Sequence, residues 1–211
     1  MGMDRRKPDH YTQKAKKAGY PARSVYKLEE IQTKYRLLRP KQRVLDIGAA
    51  PGSWSMYAAE QVSPQGSVVA VDLQDCRIPD SYRQITILKG DAFSPELTEA
   101  IKARGPYNVV LSDAAPATTG NRTIDSTASA ALAEQCLLLA PSILRPPGAL
   151  VIKIFQGGEE QELIRRLRQI FKSVKPFKPK SSRKNSFEIF LIATGLKSEA
   201  VRSDREKEES L

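Results

Sequence analysis

Residues 43–54 read RVLDIGAAPGSW, and the reading of this stretch decides the fold. Its first half, 43–48, is short and rich in Val, Leu and Ile, the composition of a strand buried on both faces. The chain then turns through Gly48, Ala49, Ala50, Pro51 and Gly52 before a helical pattern starts near Ser53. A strand that turns tightly into a helix N-terminus is how a doubly wound α/β sheet offers its backbone to a nucleotide. Small residues suit the turn because a larger side chain would obstruct close approach. A pyrophosphate turn would read G-x-G-x-x-G. Here Ala49-Ala50-Pro51 intervenes and an acid, Asp46, opens the loop. That acid suits a cationic ligand, such as a sulfonium amino acid, better than a pyrophosphate.

Outward from this loop the pattern repeats. Strand-like runs at 67–72, 84–88, 107–112, 149–154 and 187–193 alternate with helical stretches at 53–62, 95–103, 126–144 and 159–171. The alternation predicts a Rossmann-like, doubly wound α/β fold with a mostly parallel sheet. A leading helix over 22–37 puts Val25, Leu28, Ile31 and Tyr35 on one side, flanked by Lys27 and Glu30. The second strand ends in Val71-Asp72-Leu73, where a carboxylate can accept from both ribose hydroxyls of an adenosine. The third leads to Lys89-Gly90-Asp91-Ala92-Phe93, with Asp91 available to an adenine amino group. Each aspartate alone is equally well an ordinary turn residue. Acids ending three successive strands, with the small-residue loop on the first, favour an adenosine-bearing cation.

The bulk numbers bound the function class. A chain of 211 residues suits one domain with a sizeable core. Lys and Arg number 34 against 24 Asp and Glu, for a net charge of +10, which points to a polyanion without separating RNA, DNA and acidic membrane. Its distribution is uneven: 1–43 hold thirteen basic residues against four acids, and 165–184 hold nine against none. Either run alone reads as a solvated face; together they predict a phosphate-tracking surface with steep salt dependence. No apolar run approaches a membrane span. The charged start lacks the apolar core of a secretory signal. Cys76 and Cys136 fall outside metal-ligand spacing, so no metal is expected and a reduced, cytoplasmic setting is. The expected organisation is a mobile basic arm over 1–21, one domain over 22–196, and a charged, disordered tail over 197–211. A monomer is expected.

Five stretches carry a family likeness: 23–32 (RSVYKLEEIQ), 46–54 (DIGAAPGSW), 112–120 (SDAAPATTG), 151–157 (VIKIFQG) and 181–195 (SSRKNSFEIFLIATG). In this order they resemble the FtsJ/RrmJ family of RNA ribose 2′-O-methyltransferases. The resemblance implies S-adenosyl-L-methionine as cofactor and a seven-stranded sheet whose last strand is antiparallel. Residues 173–176 could supply the strand missing from the pattern above. It also implies a catalytic tetrad of Lys27, Asp113, Lys153 and Glu188, and cofactor contacts from Gly52, Trp54, Asp72 and Asp91. Asp113 belongs to both sets. With their neighbours, the candidate cofactor residues are Asp46, Gly48, Ala49, Ala50, Pro51, Gly52, Trp54, Asp72, Leu73, Asp91, Ala92 and Asp113.

The chemistry fits those residue types. A ribose 2′-hydroxyl holds its proton tightly at neutral pH, so in-line methyl transfer needs the oxygen positioned and the proton drawn off. An amine out of water and beside a second cation sheds its own proton more readily. Lys153 is therefore the candidate general base, oriented by Asp113, with Lys27 and Glu188 tuning the network and holding the ribose. The resemblance further implies a uridine of the A-loop of 23S ribosomal RNA, in the large subunit, as substrate. Transfer-RNA anticodon methylation is the alternative within the family. From other classes, a non-catalytic RNA-binding assembly factor is opposed by the intact tetrad, and a nicotinamide oxidoreductase by the missing G-x-G-x-x-G. Lone His10 reads as a surface residue.

Overall fold

The computed structural model describes residues 9–183 and 185–201. The expected α/β fold is present as a seven-stranded sheet in the order β3-β2-β1-β4-β5-β7-β6. In chain order the elements are α1 (His10–Lys17), α2 (Val25–Tyr35), β1 (Arg43–Ile47), α3 (Ser53–Val62), β2 (Ser67–Asp72), β3 (Ile85–Lys89) and α4 (Pro95–Lys102). There follow β4 (Tyr107–Ser112), α5 (Arg122–Ile143), β5 (Leu144–Phe155), α6 (Glu160–Ile170), β6 (Phe171–Phe177) and β7 (Glu188–Leu196). The missing strand is β6, longer than the 173–176 expected. β7 pairs antiparallel with both β5 and β6.

Apolar side chains fill both faces of the sheet, as the near-continuous Val, Ile and Leu of its strands require. On one face Leu45, Val110, Leu150 and Leu191 pack with Leu137, Ala140 and Ile143 of α5 and Leu163 and Leu167 of α6. On the other, Val44, Val109, Val151 and Phe190 pack against Leu28 and Ile31 of α2 and Trp54 and Ala58 of α3. Burying a side chain the size of Leu28 or Ile31 stabilises the fold by about 1.5–3 kcal/mol, which is what fixes α2 to the sheet. Helix α5 starts at Arg122 rather than at 126. Asn121 caps it by accepting from the N–H groups of Thr123 and Ile124, and Asp125 accepts from those of Thr119 and Gly120.

Register decides where the polar ends fall. Ile47 lies beside Val71 and Ser112, and Ser112 beside Ile152. The residues that follow, Asp72, Asp113 and Lys153, therefore gather at one edge of the sheet. Because β7 runs the other way, its first residue, Glu188, sits opposite Phe155, and its Phe190 opposite Lys153. One strand end and one strand start thus meet at the same edge.

Two expectations need correction. The basic arm is not a loose segment over residues 10–20: α1 buries Ala15 against Val25 and Tyr26, with Tyr11 and Tyr20 packed alongside. Asp9 caps this helix by accepting from the N–H of Thr12, and it also pairs with Arg23. The start of the arm, 1–8, lies outside the described residues. The charged tail likewise begins in order, since residues 198–201 form a helical turn and Ala200 and Val201 pack against the core. The remainder of that tail lies outside the described residues.

Candidate active site

At the C-terminal edge of β1, β2 and β4 a cavity of about 930 Å³ opens between the strand ends and α5. Gly48, Ala50 and Pro51 of the first loop line it, with Asp72 and Leu73 after β2. Asp91 and Ala92 after β3, and Asp113 after β4, complete the expected wall. Asp72 is held in place by the N–H groups of Ala50 and Gln74, which donate to its two oxygens at 2.8 Å each. One oxygen of Asp91 accepts from the N–H of Phe93 at 3.0 Å.

Four of the expected cofactor residues are not on the wall. Trp54 is buried between α2 and the sheet, and its indole N–H donates to the carbonyl of Ser24 at 2.8 Å. Its aromatic ring therefore joins the leading helix to the loop. Ala49 is buried beneath the turn. Gly52 sits at φ 116°, and a Cβ there would stand 2.5 Å from Ile78. Gly48, at φ 77°, would put a Cβ 2.5 Å from the Cα of Ala114. Smallness at both glycines is thus demanded first by the chain's own close approach.

Asp46 is fully buried beneath the loop; one oxygen accepts from the Ser55 hydroxyl at 2.6 Å and the other has no hydrogen-bond partner among the described residues. Burial pushes its carboxyl up to about 7, and the nearby carboxylates of Asp113 and Asp72 push the same way. Burial, then Asp46, Asp72 and Asp75, likewise raises the Cys76 thiol to about 11. The lining thus divides between the carboxylates of Asp72, Asp75, Asp91 and Asp113 and the apolar side chains of Phe93, Ala92 and Leu132. An adenosine joined to a cationic amino acid matches that division in size and charge. Phe93, Gln74, Arg77, Leu132 and Gln135 were not anticipated. Phe93 had a signal, being an aromatic two residues past a strand-end acid. Leu132 and Gln135 lie on an amphipathic helix whose sequence does not mark which residues meet a ligand.

The cavity ends at Asp113, where the four expected catalytic side chains converge. Lys153 is buried, with its ammonium 3.0 Å from one Asp113 carboxylate oxygen and donating to the Asp113 carbonyl. Lys27 reaches down from α2, 2.7 Å from Glu188 and 4.0 Å from that same Asp113 oxygen. Glu188 is buried and also accepts from the Ser182 hydroxyl at 2.8 Å. Burial alone would raise its carboxyl, but the adjacent Lys27, the Ser182 hydroxyl and Lys153 together hold it below the ordinary carboxylate range. The result is an alternating chain, Glu188, Lys27, Asp113, Lys153. Alternation lets two ammonium groups share a buried site without prohibitive repulsion. Ser182 lies within the 181–195 stretch but was not among the expected site residues.

The two basic flanks meet beside this site. The N–H groups of Lys180 and Ser181 donate to Glu30 of α2, and Arg23 donates to the Ser181 carbonyl. Among the described residues no helix is long and apolar enough to cross a membrane.

A family model described as FtsJ-like methyltransferase matches residues 20–196. The chain is 49% identical over 192 residues to the ribosomal RNA large subunit methyltransferase E of Syntrophobacter fumaroxidans, covering 90% of this chain and 96% of that one. Against the protein of the same name from Treponema denticola the identity is 44% over 190 residues, with 90% and 96% covered. A Plasmodium falciparum crystal structure, provisionally described as a ribosomal RNA methyltransferase, superposes with a TM-score of 0.73 at 25% identity, over 84% of this chain and 98% of that one. Fibrillarin of Aeropyrum pernix, solved with S-adenosyl-L-methionine, shares the fold at a TM-score of 0.59 and 15% identity, over 81% and 76%.

Proposed function

The chain belongs to the FtsJ-like methyltransferase family, and we propose that it methylates the 2′-hydroxyl of a ribose in large-subunit ribosomal RNA, using S-adenosylmethionine. The nucleotide we assign is a uridine of the 23S A-loop. The observation that carries this reading is the alternating Glu188–Lys27–Asp113–Lys153 chain at the end of the acidic cavity.

The cofactor supplies a sulfonium methyl that a nucleophile can displace in line. Asp72 would accept from the ribose hydroxyls of the adenosine, each of its oxygens receiving one backbone N–H and having a second lone pair, and Asp91 would accept from the adenine amino group. Gly48, Ala50, Pro51, Leu73 and Ala92 shape the wall. Asp113 and Asp72 would bring negative charge to the cationic end. Asp46 lies beneath the loop, while Ala49, Gly52 and Trp54 set the loop's shape. Lys153 Nζ would take the proton of the 2′-hydroxyl as that oxygen attacks. Asp113 fixes Lys153 through its carbonyl and carboxylate. Lys27, held by Glu188, keeps a positive charge near the attacking oxygen.

The test is transfer of a tritium-labelled methyl to purified RNAs, with the modified nucleotide mapped. The expected result is a single 2′-O-methyluridine in 23S RNA. Transfer confined to transfer RNA would overturn the substrate, and RNA binding without transfer would leave a non-catalytic assembly factor.

A further inference from the structure

A second recess of about 450 Å³ lies between α1, α2 and the end of β6, apart from the cofactor cavity. Tyr11, Tyr26 and Phe177 give it aromatic walls, and Lys14, Lys34 and Lys180 place ammonium groups around them. The Tyr11 and Tyr26 rings lie 5.5 Å apart, tilted by 46°. The Lys14 ammonium sits 4.3 Å from the centre of the Tyr26 ring, and that of Lys34 sits 4.9 Å from the centre of Phe177. No ion pair engages these three lysines among the described residues. Glu30, which also lines the recess, is committed to the N–H groups of Lys180 and Ser181. Glu29 adds one exposed carboxylate at the rim. Among the described residues the buried Tyr26 hydroxyl has no hydrogen-bond partner, a cost that a bound group supplying one would remove.

Two short connections tie the recess to the tetrad. Tyr26 precedes Lys27 on α2, and Lys180 stands two residues before Ser182, which donates to Glu188. Aromatic faces interleaved with ammonium groups, a short step from a site that must receive a ribose, match an unpaired nucleotide better than a peptide. The rings stack a base of any identity and the lysines hold its phosphates.

We propose that this recess binds an unstacked nucleotide of the RNA strand flanking the one that is methylated. Tyr11 and Phe177 stack its base, Lys14, Lys34 and Lys180 hold the phosphates on either side, and the Tyr26 hydroxyl bonds the base edge. The proposal rests on RNA being the substrate.

The test uses the full chain carrying Tyr11→Ala or Lys34→Gln, neither of which touches the tetrad or the cofactor cavity. Methyl transfer to 23S RNA and filter binding of the same RNA are both measured, and thermal melting establishes that each variant folds. The expected result is a KM and an RNA Kd raised about tenfold by Tyr11→Ala, with kcat and cofactor affinity unchanged and the loss recovered by Tyr11→Phe. Lys34→Gln should lower the slope of log Kd against log salt by about one. A KM and RNA Kd within twofold of the unsubstituted chain overturn the recess. Weakened association with intact subunits at unchanged RNA affinity would assign it to a ribosomal protein, which also overturns the proposal. If the unsubstituted chain transfers no methyl to RNA, the proposed function fails, while filter binding still decides the recess.

Discussion

Lys153 carries an ammonium into a strand that is otherwise Val151, Ile152, Ile154 and Phe155, and among the described residues Asp113 alone receives it at close range. Replacement by Ala removes the proposed proton acceptor and replaces no residue of the cavity wall, although Asp113 loses its ion-pair partner. The expected loss in kcat is about 10²–10⁴-fold, with cofactor affinity within twofold in a calorimetric titration. Full activity of that variant would remove Lys153 as the base. Asp46 gives a prediction of opposite character. Its folded-state value of about 7 lies above the ordinary 3.8, so between those values the folded chain keeps a proton the unfolded chain has lost. This contribution to stability is therefore lost as pH rises through the window. Asp46→Asn should gain on the unsubstituted protein in melting temperature from pH 4 to pH 7, and parallel melting curves would refute the buried, proton-hungry carboxyl. The sequence marked these acids because they end strands. It grouped Trp54 and Gly52 with the cofactor contacts, although neither lines the cavity, because a motif fixes the order of residues and not the direction each side chain takes. Both belong to the loop's construction, which is as strongly constrained as the ligand's wall.

Elements were legible where apolar runs were interrupted by turn residues, which is true of every parallel strand. The start of α5 was not, because Asn121 and Asp125 act through backbone N–H groups in a stretch of Thr and Gly that reads as loop. α1 was missed for a related reason: its lysines outnumber its apolar residues, and only Ala15 is buried. What keeps it folded is tertiary contact with Val25 and Tyr26, which no local pattern reports. The turn after β1 offers the element-scale prediction. In Gly48→Ala the added methyl would stand 2.5 Å from the Cα of Ala114, at a φ of 77° that alanine adopts poorly. Backbone on both sides must move, so the variant should lose about 1–3 kcal/mol of stability in denaturant unfolding, together with cofactor affinity. An unchanged midpoint would mean that the two loops have more freedom than their spacing implies.

For the molecule as a whole, charge and topology act together. Composition alone left RNA, DNA and acidic membrane open, and the comparison with ribosomal RNA methyltransferases favours RNA. Two basic stretches far apart in sequence adjoin at α2, where Glu30 clamps the loop that follows β6. Their meeting could not be foreseen, since it depends on where the antiparallel strand returns the chain. Neutralising Lys14, Lys16 and Lys17 to Gln should weaken RNA binding and reduce the slope of log Kd against log salt by about one per lysine that meets a phosphate. An unaltered slope would mean that α1 stands off the RNA. The return of β7 between β5 and β6 has a consequence in time as well as space. During synthesis Lys27, Asp113 and Lys153 leave the ribosome first, and Glu188 follows seconds later, at the head of a strand that must slot into a gap in the sheet. A nascent or prematurely stopped chain therefore has Lys27 without Glu188, the nearer of its two carboxylates, and lacks the strand that joins β5 to β6. If the proposed function holds, no unfinished copy carries the complete tetrad that it requires.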